Sequence, residues 1–161
     1  MMNYYRVGRA LEILLIEDNP GDVRLIQEAL RTSKIPNHLR VAEDGLEASA
    51  ILFRQGQYAD TPLPDLIVLD LNLPRKDGRT LLAEIKADPA LKRIPVVILT
   101  TSQAEPDILQ AYDMHANCYI TKPMDYERFH GAIKAIESFW LGAVRLPIIS
   151  DERRGMSRPQ R

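Results

Sequence analysis

Cysteine is nearly absent from this chain of 161 residues, Cys118 being the only one. No intramolecular disulfide can form within it, and no cysteine-based zinc cluster can be assembled. Long hydrophobic runs are lacking too: no stretch approaches membrane-spanning length, and the N-terminus carries no long apolar run. Charge of one sign is not in excess, the formal net charge being -1. Broad electrostatic attraction to nucleic acid or to a membrane surface is therefore not expected. These absences suit a reducing cytoplasm, with neither nucleic acid nor membrane among the expected partners. Two catalytic signatures are also missing. There is no G-x-x-x-x-G-K-[ST] phosphate loop and no G-x-S-x-G elbow.

What is present is an ordinary soluble composition, 45% hydrophobic and 27% charged, enough for one buried core. Residues 1–10 show no period and read as a leader. From Glu12 onward, short apolar runs alternate with amphipathic stretches. Ile13-Leu14-Leu15-Ile16 and Leu66-Ile67-Val68-Leu69 are continuous apolar runs, as parallel strands buried on both faces require. Leu39 to Ala42, Pro95 to Leu99 and Cys118 to Thr121 read as three further strands.

Between the strands lie helical periods. Val23, Ile26, Ala29 and Leu30 share one face. A second helix over Gly45 to Phe53 is expected to bury Leu46, Ala50 and Phe53. Leu81, Leu82 and Ile85 mark a third, and Ile108, Ala111 and Tyr112 a fourth, with Pro106 fitting its first turn. Phe129, Ile133, Ile136 and Trp140 place the last, with Trp140 as a packing or interface anchor. Asp44-Gly45 and Asp77-Gly78 are turn signals, and Arg54 to Pro64 is a long connection. The expected fold class is α/β: a five-stranded parallel sheet in the order 2-1-3-4-5, flanked by five helices and flavodoxin-like.

In such sheets the functional site lies at the C-terminal strand ends, beside the switch point between the first and third strands. Glu17 and Asp18 end the first strand, Asp70 the third and Thr100 the fourth, and Lys122 follows the fifth. Three converging carboxylates would repel one another and raise their own pKa values, a conflict that a hard divalent cation resolves. Mg²⁺, with octahedral oxygen coordination, fits; its expected ligands are Asp18, Asp70 and a backbone carbonyl at Asn72, with Glu17 acting mainly through water. Asp70 is the candidate phosphoryl acceptor. Lys122 and the Thr100 hydroxyl would neutralise the other equatorial oxygens. Taken singly, each residue has a plainer reading: acids near a helix N-terminus, a turn aspartate, a solvated lysine, a strand-end threonine. Their joint placement favours the functional one. His38, His115 and His130 show no spacing for a shared metal.

These residues resemble the response-regulator receiver family, typified by the bacterial chemotaxis receiver. The resemblance rests on LLIEDNPGD (Leu14 to Asp22), LIVLDLNLPRKDG (Leu66 to Gly78), VVILTTS (Val96 to Ser102) and YITKP (Tyr119 to Pro123), and it spans roughly Glu12 to Phe139. It implies Asp70 as phosphoacceptor, Glu17 and Asp18 as metal-site acids, and Thr100 and Lys122 as the switch hydroxyl and the lysine. It further implies Tyr119 as the aromatic that swings inward on activation, and a cis Lys122–Pro123 bond. TPLPD (Thr61 to Asp65), HANCYITKP (His115 to Pro123) and ESFWLGAVRLP (Glu137 to Pro147) are similar to the phytochrome-associated response regulators. That narrower resemblance implies a light-sensing histidine kinase as phosphodonor. It also implies a homodimer built from the last strand-helix region and the C-terminal extension, with Val144, Leu146 and Pro147 as an apolar patch.

The organisation expected is thus a leader at 1–10, a receiver domain at 11–140, and a C-terminal extension and tail at 141–161. The tail is locally basic (Arg153, Arg154, Arg158, Arg161) and reads as solvated. Residues after Phe139 are too few for a helix-turn-helix output domain, so the signal would leave by protein contact or by competition for phosphate. The chain would be a phosphoacceptor switch, not an enzyme, with autodephosphorylation as its reset. An aspartyl-phosphate hydrolase is disfavoured because Asn72 stands two residues after Asp70, where such enzymes place a second acid. A degenerate receiver acting as a pure binding module is disfavoured because acids, acceptor and lysine are all present.

Overall fold

Each of the five apolar runs forms a strand, and each connecting stretch folds back across the sheet as a helix. A computed structural model describes residues 9–147. In chain order the elements are β1 (Leu11–Ile16), α1 (Pro20–Arg31), β2 (Asn37–Ala42), α2 (Gly45–Leu52), β3 (Leu66–Leu69), α3 (Gly78–Ala87), β4 (Val96–Thr100), α4 (Glu105–Asp113), β5 (Cys118–Thr121) and α5 (Tyr126–Ile136). The strands are all parallel, in the order β2-β1-β3-β4-β5. The expected order is observed. Among the described residues, no helix is long and apolar enough to cross a membrane.

Strand alternation divides the core in two. Leu14, Ile16, Ile67, Leu69, Val96 and Ile98 face α2, α3 and α4. Ile13, Leu15, Leu66, Val68, Val97 and Leu99 face α1 and α5. Both faces are covered, which is why β1, β3 and β4 are apolar at nearly every position. β2 and β5 are the edge strands and are only half-buried along most of their length.

The helices begin where the sequence supplies caps. Asn19, Asp44, Asp77 and Asp125 each accept a backbone N–H from the first turn of α1, α2, α3 and α5. The two Asp-Gly pairs are therefore helix starts. Their glycines are needed for space. A Cβ on Gly45 would lie 2.0 Å from the Lys76 carbonyl oxygen, and one on Gly78 would lie 2.3 Å from that of Asp70.

Several expectations are corrected. α2 buries Ala48, Ile51 and Leu52, while Leu46 is 48% exposed and Ala50 and Phe53 are half-buried. Its sequence is apolar around most of its circumference, so periodicity gave no unique face. In α4 only Ala111 is buried, and Tyr112 is 50% exposed. The long connection after α2 is partly structured, with a short 3₁₀ turn at Gly56–Tyr58 and a buried Leu63. Beyond α5 the backbone widens into a π-helical segment, Glu137–Ala143, where Val144 N–H donates to the Phe139 carbonyl at 2.8 Å.

The widened turn carries Trp140 and Leu141 onto the core that α1 and α5 share. Leu146 follows them and is only 3% exposed. Val144 packs on the same cluster. The expected apolar patch at Val144, Leu146 and Pro147 is therefore largely spent within the chain. Lys122–Pro123 is trans, there being no cis peptide bond among the described residues. The two isomers of an X–Pro bond differ by only about 0.5–1 kcal/mol, so the surroundings decide between them. The arginine-containing tail and residues 1–8 lie outside the described residues.

Candidate functional site

The site is assembled by sheet ladders that run one residue past the strands. Glu17 N–H donates to the Ala42 carbonyl at 3.0 Å, Asp70 N–H to Ile16 at 3.0 Å, and Lys122 N–H to Thr100 at 2.7 Å. The backbone at Glu17, Asp70 and Lys122 is thereby tied into the sheet. Asn72 N–H turns back to Asp70 Oδ1 at 3.1 Å, so the acceptor carboxylate is oriented from its own loop.

Glu17, Asp18 and Asp70 each offer an oxygen within 4.8 Å of the others. Glu17 and Asp70 are buried, whereas Asp18 is exposed at the rim. Lys122 enters from the other side. Its ammonium donates to Glu17, to Asp22 Oδ2 at 2.9 Å and to Asp70 Oδ2 at 3.1 Å. Glu17 Oε2 also accepts the backbone N–H groups of Asp18 (3.1 Å) and Asn19 (3.2 Å).

These contacts set the proton affinities. Burial pushes the Glu17 carboxyl up to about 7; the Lys122 hydrogen bond opposes the rise and the Asp70 charge adds to it. Burial alone would disfavour the Lys122 ammonium. Hydrogen bonds to Glu17 and Asp22, with the charges of Glu17 and Asp70, outweigh it and hold Lys122 above the ordinary lysine range. An all-oxygen donor set, two of its carboxylates buried and the third open to solvent, fits a hard divalent cation with water on its outer side. Adding such a cation would offset the Asp70 repulsion that adds to the effect of burial on Glu17.

Four of the expected residues, Glu17, Asp18, Asp70 and Lys122, thus form one cluster. Thr100 is fully buried one strand away, its hydroxyl accepting a long 3.5 Å contact from the Asn72 amide. Tyr119 lies partly buried against the core, its hydroxyl donating to the Ser102 carbonyl at 3.0 Å. The histidines do not meet: His38 pairs with Glu12 at 3.0 Å, and His130 stacks on Tyr126.

Asp22 was not anticipated. It sits in the first turn of α1, where an acid is ordinary, so its type and position carried no separate signal. A carboxylate four residues after Asp18, in the turn facing the site, was the only clue.

Comparison with known proteins agrees with this geometry. The family model described as "Response regulator receiver domain" matches residues 13–134, from β1 into α5. The chain is 54% identical to the response regulator Rcp1 of Synechocystis sp. over 135 residues, which is 84% of this chain and 92% of that protein. It superposes on the crystal structure of the Mn²⁺-bound form of Rcp1 with a TM-score of 0.85 at 53% identity, covering 86% of this chain and 99% of that one. The phosphorylated cyanobacterial phytochrome response regulator RcpA gives the same TM-score of 0.85 at 54% identity, again covering 86% and 99%. With its parallel sheet, its strand-end acids and a family match that runs through nearly every element, the chain belongs to the response-regulator receiver family.

Proposed function

We propose that this receiver takes a phosphoryl group onto Asp70 from a phosphohistidine of a sensor histidine kinase of the phytochrome class. The reading is carried by one observation: the Lys122 ammonium touches Asp70 and Glu17 while Asp18 stands at the open rim. In the transfer, an Asp70 carboxylate oxygen attacks phosphorus, a P–O bond forms and the P–N bond to the donor histidine breaks. The imidazole leaves with the electron pair and is then protonated. Lys122 offsets charge on one equatorial oxygen, and the Thr100 hydroxyl serves another after a short inward movement. Glu17, Asp18, Asp70 and the Asn72 carbonyl would hold Mg²⁺, which supplies charge neutralisation at the transferring group.

Hydrolysis of the acyl phosphate resets the protein, so that the chain acts as a self-resetting switch. While the phosphoryl group is on Asp70, its charge draws Thr100 inward, and the movement of Thr100 and Tyr119 remodels the face made by α4, β5 and α5. The similarity to RcpA, a cyanobacterial phytochrome response regulator, supports the phytochrome partner. A homodimer through the β5–α5 region and the C-terminal extension is part of the same reading, with a receiver domain at 11–140 and the extension and tail at 141–161.

The test is intact-mass analysis of protein incubated with Mg²⁺ and a small phosphodonor. Wild type is expected to gain one phosphoryl group and Asp70→Asn none; equal labelling of both overturns the assignment. Transfer from a phytochrome kinase should outpace transfer from an unrelated histidine kinase at least tenfold, and equal rates reject that partner.

A further inference from the structure

A second polar network lies outside the acidic cluster and joins the elements that a switch has to move together. Arg79, in the first turn of α3, grips Asp107 of α4 with two nitrogens, Nε to Oδ1 at 3.2 Å and Nη2 to Oδ2 at 2.9 Å. Its remaining Nη1 holds Asp77, the cap of α3, at 3.1 Å. Asp107 Oδ2 also accepts the Ser102 hydroxyl at 2.5 Å. Ser102 Oγ in turn accepts Ala104 N–H at 3.4 Å, and the Ser102 carbonyl accepts the Tyr119 hydroxyl. The chain of contacts therefore runs from α3 across the segment between β4 and α4 to β5.

α4 has little else to hold it. Ala111 is its sole buried residue, its N-cap Ala104 has no side-chain hydrogen bond, and Leu109 and Tyr112 are exposed. An element with so small an apolar anchor belongs to the low-stability end of a fold. A single exposed ion pair contributes little to stability, but a two-pronged arginine–carboxylate contact inside a network is the recognised exception. The charges are consistent with a formed contact. The Ser102 hydroxyl and then Arg79 draw Asp107 below the usual carboxylate range.

We propose that Arg79 is a positioning residue for the switch: through Asp107 and Ser102 it clasps α4 and the β4–α4 segment, and so fixes the Ser102 carbonyl that holds the Tyr119 hydroxyl. The proposal rests on the switching roles given to Thr100 and Tyr119 above. The clasp pre-organises the arrangement that receives the phosphoryl group, and losing it lowers the fraction of molecules that are competent for transfer.

Two measurements on the full chain test this, using Arg79→Ala, Arg79→Lys and Asp107→Asn. The first is amide hydrogen exchange in the unphosphorylated, metal-free protein. The amides of Asp107 and Ile108, both bonded to the Ala104 carbonyl, are expected to exchange at least tenfold faster in Arg79→Ala, with β1 and β3 unchanged. The second is the rate of labelling by a small phosphodonor with Mg²⁺, expected to fall three- to tenfold in Arg79→Ala and Asp107→Asn. Arg79→Lys, which keeps the charge but loses the fork, should recover part of both effects. Unchanged exchange overturns the clasp, as does labelling that is unchanged or faster while exchange rises. If wild type itself is not labelled, the acceptor reading has failed, and the exchange measurement still decides whether the clasp exists.

Discussion

A carboxyl group enclosed with two other carboxylates loses solvation and gains repulsion together, and Glu17 shows both effects, its pKa rising from 4.5 to about 7. Ionised Glu17 is the form that helps hold a cation, directly or through water. Below about pH 7 a proton must leave before metal can bind there; above it the site is already open. Divalent-metal affinity is therefore expected to drop steeply, by up to about tenfold per pH unit, between pH 7 and pH 5. Calorimetric titration with Mg²⁺ at several pH values checks this, and Glu17→Gln should flatten the profile. The stability sign follows from the same shift. A folded-state pKa above the unfolded one means that the contribution of Glu17 to stability is fully present at low pH and is lost as pH rises from 4.5 to about 7, until metal restores it. At this scale the sequence was informative: Glu17, Asp18, Asp70, Thr100 and Lys122 were legible because residue type and strand-end position coincide. Asp22, Ser102, Arg79 and Asp107 were not. Their roles depend on contacts between residues far apart in the chain, for which Asp-in-first-turn and Arg-in-helix carry no mark.

At the scale of elements, the end of the last helix departs most from a simple period. Phe129, Ile133, Ile136 and Trp140 are all buried as their spacing predicts, yet the backbone that carries Trp140 is π-helical. The wider turn lets Leu141 join Trp140 on the core, and the chain then folds back to bury Leu146. Trp140 sits edge-on to Phe139, with ring centroids 5.4 Å apart. Trp140→Ala is expected to cost about 3–5 kcal/mol in denaturant unfolding, the range for emptying a large aromatic site. A loss well below about 1 kcal/mol would show that the segment is docked only loosely. β1, β3 and β4 were legible because doubly covered strands must be apolar throughout. The faces of α2 and α4 were not, because one is apolar on most sides and the other is held largely by polar contacts.

For the whole molecule, the two core layers determine which surfaces remain for partners. With Leu146 buried and Val144 packed against the core, the large exposed apolar side chain after α5 among the described residues is Phe139, at 56%. Removing residues 140–161 would strip Trp140, Leu141 and Leu146 from the core, so truncation is a poor test of dimerisation. Phe139→Asp leaves that core intact. It is expected to convert the proposed homodimer to monomer by light scattering while the melting temperature changes by only a few degrees; an unchanged mass rejects Phe139 as a dimer contact. The sequence alone pointed to the fold class, the strand order and the placement of Glu17, Asp18, Asp70, Thr100 and Lys122 at strand ends. Strand burial and the position of acids at strand ends follow from local composition and from the few topologies that parallel sheets allow. Only the tertiary structure decided which way each weakly amphipathic helix turns, that Lys122–Pro123 is trans, that Leu146 closes the core, and that α4 is clasped by Arg79. Each of these depends on free-energy differences of a few kcal/mol or less between alternatives that the local sequence leaves nearly equal.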